Sequence, residues 1–272
     1  MALNIFLVKL FISFIVAGFV VVLFTLLAEK YGSRIGGVIT TLPSISALSL
    51  FFIGVTNSVE TVIRAIPASV LGLTAAIIFL IVYIKSSGLR TKKLESISIS
   101  IALSLFIWFM FDFSLFVFVP KELMPALLTF SLVLALMVYC LVFREEKKIV
   151  MVKRSKLSQV ELFFRSVFGG GTVALTVIFA YILGPIWGGF ASMFPAVYLS
   201  TYVILEWKNG SRFIHALGRM TPIGALSSFV YVLFVYFSYP RLGIILGTIF
   251  SYLACLFVVA SIFKITTKLT KI

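Results

Sequence analysis

The strongest constraint on this chain is how far it runs without a charge. Uncharged stretches extend over Leu10–Ala28, Ile35–Val59, Ala65–Ile84, Leu123–Phe143, Ser166–Leu205, Met220–Tyr239 and Leu242–Phe263, and over Ser96–Val119 with only Asp112 interrupting. One crossing of a bilayer takes about 20 apolar residues in a helix. Most runs supply one crossing. Ser166–Leu205 is too long for one and contains Gly184-Pro185, a turn-forming pair that divides it. The spacing predicts nine transmembrane helices in an all-α polytopic membrane protein. A 61% share of hydrophobic residues excludes a soluble domain, whose apolar share is about 45–50%.

The formal charge of +14 does not point to nucleic acid, because the Lys and Arg residues lie between apolar runs and form no single basic face. They set topology and attract anionic lipids. With nine crossings, 19 of the 23 basic residues fall on one side, which leaves only Lys9, Arg64, Lys121 and Arg241 on the other. Basic short loops stay cytoplasmic. The N-terminus is therefore expected outside the cell membrane and the C-terminus in the cytoplasm. The first apolar run has no basic lead or small-residue cleavage site and is read as a retained helix.

A second constraint is a repeat. Gly32, Gly36, Gly37 and Pro43 recur as Gly184, Gly188, Gly189 and Pro195, a displacement of 152 residues. The same displacement pairs Phe11 with Phe163, Gly18 with Gly170, Val21 with Val173, Leu23 with Leu175, Ala28 with Ala180 and Asn57 with Asn209. Gly and Pro punctuate backbone, so their coincidence marks two related halves. Residues 1–119 form the first repeat of four helices and residues 159–272 the second. Residues 120–158 supply a fifth helix and a basic cytoplasmic loop. The odd helix turns the second copy over, an inverted 4 + 1 + 4 plan found in secondary transporters.

The blocks Gly36-Gly37 through Leu42-Pro43 and Gly188-Gly189 through Phe194-Pro195, with the polar linker Thr56–Arg64 after the first and the corresponding segment Lys208–Arg219 after the second, resemble the GlpM-like family of small four-helix membrane proteins. The resemblance implies a membrane fold, here doubled, and carries no activity.

Pro43 and Pro195 fall inside the second and seventh helices, where proline removes a backbone donor and breaks the helix. Thr40, Thr41, Ser44 and Ser46 surround the first break, and Ser192 and Tyr198 flank the second. Broken helices with hydroxyls at membrane depth form substrate sites in transporters. The eight residues are candidate ligands for a small polar or anionic solute. Gly36, Gly37, Gly188 and Gly189 are expected to let helices approach closely. Asp112, the one acid well inside a helix, is the candidate for proton coupling. Arg165, Arg212 and Arg219 near cytoplasmic helix starts could hold an anionic headgroup.

A single His, and Cys140 and Cys255 buried in apolar runs, supply neither a metal motif nor a disulfide framework. No nucleophile–base arrangement is present, so no catalytic residue and no cofactor are expected. The leading function is a small secondary transporter. A membrane enzyme or lipid-headgroup-handling protein using the cytoplasmic Arg and His residues is one alternative, and a non-catalytic assembly factor another. The partners expected are the bilayer, anionic lipids on the cytoplasmic face, a small-molecule solute and a second copy of the chain, with no nucleic acid.

Overall fold

The computed structural model describes residues 2–30, 42–143, 158–218 and 221–269. Every element among them is helical: α1 (Ala2–Lys30), α2 (Ser44–Thr56), α3 (Val59–Ser86), α4 (Lys93–Phe118), α5 (Leu123–Val138, continued by a π-helical turn Tyr139–Phe143), α6 (Gln159–Ile182), α7 (Pro185–Ala191), α8 (Ala196–Asn209), α9 (Ser211–Gly218) and α10 (Thr221–Leu269). Seven stretches are long and apolar enough to cross a membrane, with α7 and α8 counted together as one. The chain is thus a multi-helix membrane protein.

The 49 residues of α10 are two arms. Gly243 has φ 72° and ψ −178°, a conformation that costs a residue without Cβ nothing. The arms fold back on each other there: Ser238 pairs with Ser251, the rings of Tyr231 and Tyr252 lie 4.9 Å apart, and Ser227 meets Cys255. Each arm is long enough to span by itself.

The core is built around α3. In its most apolar window 83% of residues are buried, against 11% for α4, so α3 is the central helix and α4 a peripheral one. It packs against α4, α5, α7 and α10. A second cluster joins α1, α2, α6 and the start of α8 through Phe6, Ala17, Val21, Ile45, Phe52, Val173, Val177 and Ala196. Within the helices, hydroxyls such as Thr74, Thr172 and Thr176 donate to the carbonyl four residues back, which satisfies them without water.

Helices α1 and α6 run antiparallel: Phe6 stacks on Tyr181 at 4.1 Å, while Gly18 faces Ser166. A Cβ on Gly18 would meet Ser166 Oγ at 2.5 Å, and one on Gly170 would meet the Phe14 carbonyl at 2.5 Å. Gly170 is Gly18 displaced by 152 residues, and Ser166 is Phe14 displaced by the same amount.

The predicted seventh helix is broken before Pro195, as expected, and two other expectations change. Pro43 and Pro195 are N-caps of new helices, and residues 192–195 between α7 and α8 are non-helical. Proline fits such a position because no intrahelical donor is required there. The polar segment from Thr56 to Arg64 is mostly helix, because Ser58 caps α3 by accepting from the Thr61 N–H at 3.1 Å. Finally, the segment from Lys208 to Arg219, read as part of a loop, contains the short helix α9, whose Phe213 and Ile214 are buried.

The α1–α6 contact yields a test. Gly170→Ala is expected to lower stability by about 1–3 kcal/mol through overpacking. Gly171→Ala, whose Cβ would meet nothing within 4 Å, should leave it unchanged or slightly raised. Thermal unfolding of the purified variants in detergent reads the difference.

Candidate functional site

The two helix breaks share one backbone pattern. The Ser44 N–H bonds to the Leu42 carbonyl at 2.9 Å and the Ala47 N–H to the Pro43 carbonyl at 3.1 Å. At the second break Ala196 bonds to Phe194 at 2.8 Å and Leu199 to Pro195 at 2.8 Å. Each bond is the other displaced by 152 residues. The tethers at the far ends correspond too. Lys9 of α1 donates to the Val55 carbonyl at the end of α2 at 2.8 Å, and Glu161 of α6 pairs with Lys208 at the end of α8 at 2.6 Å.

Each break is closed by the other half of the chain. The Pro43 carbonyl accepts from the Tyr252 hydroxyl of α10 at 3.3 Å. Ser192 donates to the Gly189 carbonyl at 2.6 Å and pairs with Ser69 of α3 at 3.2 Å. Gly189 lies against the Ala65 carbonyl and Ala68 of α3, Gly188 against Ala180 of α6, and Gly72 of α3 against the Phe190 carbonyl. Ser44 is half-buried and Ser46 buried on α2. Tyr198 turns its hydroxyl toward Gly224 on the first arm of α10. Ile45 and Ala196, which follow the two prolines, belong to one apolar cluster with Val173 and Val177. Thr40, Thr41, Gly36, Gly37 and Arg219 lie outside the described residues. Arg165 is half-buried in α6 and Arg212 exposed on α9.

An aromatic pocket lies elsewhere. A pocket of about 440 Å³ lies between α4, α6 and the α7–α8 break. From α4 come Trp108, Phe109 and Asp112, which share one helix face. The face of α6 that carries Phe168, Gly171, Thr172, Leu175 and Phe179 lines the opposite wall, and Trp187, Phe190 and Phe194 close the end. Two aromatic clasps hold α4 here: Trp108 meets Phe194 edge-on at 5.1 Å, and two turns later Phe116 meets Trp187 at 4.5 Å and Phe190 at 5.7 Å. Asp112 sits between them. Its Oδ1 and the Trp108 Nε1 are buried without a hydrogen-bond partner. Lys121 does not reach this carboxylate; it donates to the Phe116 carbonyl and lies over the Phe116 ring.

Sequence reasoning did not select Glu206, since it stands at a helix end. The fold buries it to 1% exposure. Its Oε1 accepts from Ser87 Oγ at 2.8 Å and from Ser96 Oγ at 3.4 Å, while Oε2 is buried without a partner. Ser96 also accepts from the Gly88 N–H at 2.8 Å, and His215 bonds to the Ser87 carbonyl at 3.1 Å. This carboxylate fastens the α3–α4 turn of one half to the α8–α9 corner of the other. The only local signal was the Ser86-Ser87 pair before Gly88, which is indistinguishable from turn residues until α8 is packed against it.

Truncating Glu206 leaves two hydroxyls without an acceptor, at a cost of about 1–3 kcal/mol for each buried unsatisfied group. Glu206→Ala is expected to lower the unfolding temperature clearly more than Glu206→Gln, which keeps an acceptor oxygen. Equal losses would remove the latch role.

No curated protein and no solved structure matches the chain. A family match falls on two regions, residues 10–121 and 162–268, whose starts lie 152 residues apart. It names a family other than the GlpM-like one that the Gly/Pro blocks resemble. The matched regions leave out α5 and cover well over half of the sequence, so the chain belongs to the family described as protein of unknown function (DUF3147).

Proposed function

We propose that this chain is a small secondary transporter made of two inverted copies of a GlpM-like four-helix unit. The copies are joined through α5 and cross the membrane nine times, with the N-terminus outside and the C-terminus in the cytoplasm. One observation carries the reading. Displacement by 152 residues converts the Gly18–Ser166 contact into the Gly170–Phe14 contact, and both lie between antiparallel helices. Equivalent antiparallel helices that touch through exchanged positions are related by a two-fold axis across them, which is the symmetry of inverted-repeat transporters. The recurring bonds at Pro43 and Pro195 and the two family-matched regions support the same duplication. In the nine-crossing count, α2 with the residues before it makes one interrupted span, and the arms of α10 make two.

Alternating access requires elements that rest against the other half without being fused to it. The two breaks have this character, since each is covered by hydroxyls of the opposite repeat. The breaks are then the moving parts. The pocket beside α7 and α8 is where a solute is held.

Two experiments test this. In a background with Cys140 and Cys255 replaced by Ala, a membrane-impermeant thiol reagent applied outside should label Glu60→Cys and spare Leu89→Cys, both exposed positions. The reverse pattern, or both on one side, would break the inverted topology. Proteoliposomes on a solid-supported membrane should give saturable currents for at least one class among organic cations, organic anions and inorganic ions. Silence across the panel from folded protein would reject transport.

A further inference from the structure

The pocket combines features that together specify a ligand. Its wall is aromatic, with Trp108, Phe168, Phe179, Trp187, Phe190 and Phe194 turned to one space. Among the described residues the one charged group in that wall is Asp112, whose Oδ1 is buried and has no partner. The nearest basic side chain along α4, Lys121, is held at Phe116. At about 440 Å³ the space falls within the roughly 300–1,000 Å³ range of small-molecule sites. Phe109, Leu175, Phe168 and Trp187 of its wall are 60%, 54%, 46% and 40% exposed on the apolar outer surface, so it opens toward the lipid.

We propose that this pocket binds a lipophilic organic cation, an ammonium or phosphonium centre carrying apolar substituents, with Asp112 as its counter-ion. Aromatic faces attract a cation through their quadrupoles, the more strongly where water is excluded. A buried acid without a partner inside a membrane marks a site awaiting one. An anion would face the carboxylate across a medium of low dielectric, where like charges repel strongly. A neutral acyl chain could fill the aromatic wall but would leave Asp112 Oδ1 unpaired. The charge therefore selects the cation. Phe190, Ala191 and Phe194 in the wall adjoin the break before α8, so a cation seated here bears on the segment proposed to move. As a statement of substrate class this rests on the transport reading, but as a statement of binding it does not.

The test is equilibrium dialysis of the full chain in nanodiscs against tetraphenylphosphonium and, in separate samples, against tetraphenylborate, which has the same shape and the opposite charge. Uptake by empty nanodiscs is subtracted. Saturable binding of the phosphonium is expected, at least tenfold tighter than that of the borate. Asp112→Asn should cost tenfold or more in phosphonium affinity, and Asp112→Glu should keep most of it. Trp187→Ala should weaken it several-fold. Equal affinity for the two ions, no saturable phosphonium binding, or an Asp112→Asn variant that binds like the parent would each overturn the proposal. Should Asp112→Asn fail to fold, the comparison of the two ions on the parent protein still decides. Dialysis imposes no gradient, so its outcome is separate from that of the transport assay. Binding without transport leaves the site standing, and transport of other solutes without phosphonium binding removes the site alone.

Discussion

Backbone that leaves the helix inside a membrane has no water to satisfy it, and the rest of this structure is arranged to meet that demand. Non-helical residues separate α7 from α8, and Pro43 caps the start of α2. Ser192, Ser69 and Tyr252 supply the hydroxyls. The missing Cβ atoms of Gly72, Gly188 and Gly189 let the neighbouring backbones come close enough to exclude lipid. Such coverage needs a helix buried on all sides, and α3 fills that place. It is apolar around its circumference with the small residues Ala65, Ala68, Ser69 and Gly72 on the face that receives α7.

Two acids show how the same side-chain chemistry diverges with environment. Glu206 accepts from two hydroxyls and ties a turn of one half to a corner of the other. Asp112 has an oxygen in an aromatic pocket with nothing to bond. The first arrangement is that of a fastener and the second that of a receptor. The position equivalent to Glu206 in the first half is Gly54, which packs dry against Ile244 and Val62. The equivalent junctions are thus polar in one half and apolar in the other.

Much of this was legible in the sequence because membrane helices and their breakers act locally. Twenty uncharged residues must cross or be buried, and a proline in such a run must interrupt it. The doubled Gly/Pro pattern therefore located both breaks before any helix was placed. Local rules also set the limits. A capped start such as Ser58 and the amphipathic α9 were lost in loops, because polar residues at a helix end look like linker until a cap bond or a packed face distinguishes them.

What the sequence by itself determined is the membrane class, the position of the helix breaks and the 152-residue correspondence between halves, each written in residues close together or in a fixed displacement. What only the tertiary structure decided is which distant side chains meet: Tyr252 on Pro43, Ser69 on Ser192, Ser87 on Glu206, and the rings of α6 and α7 around Asp112. The reason is physical. In an apolar chain most helix faces are chemically alike, so periodicity cannot say which face turns inward. The choice is made by close packing at a few small residues and by the need to satisfy each buried polar group across large sequence separations.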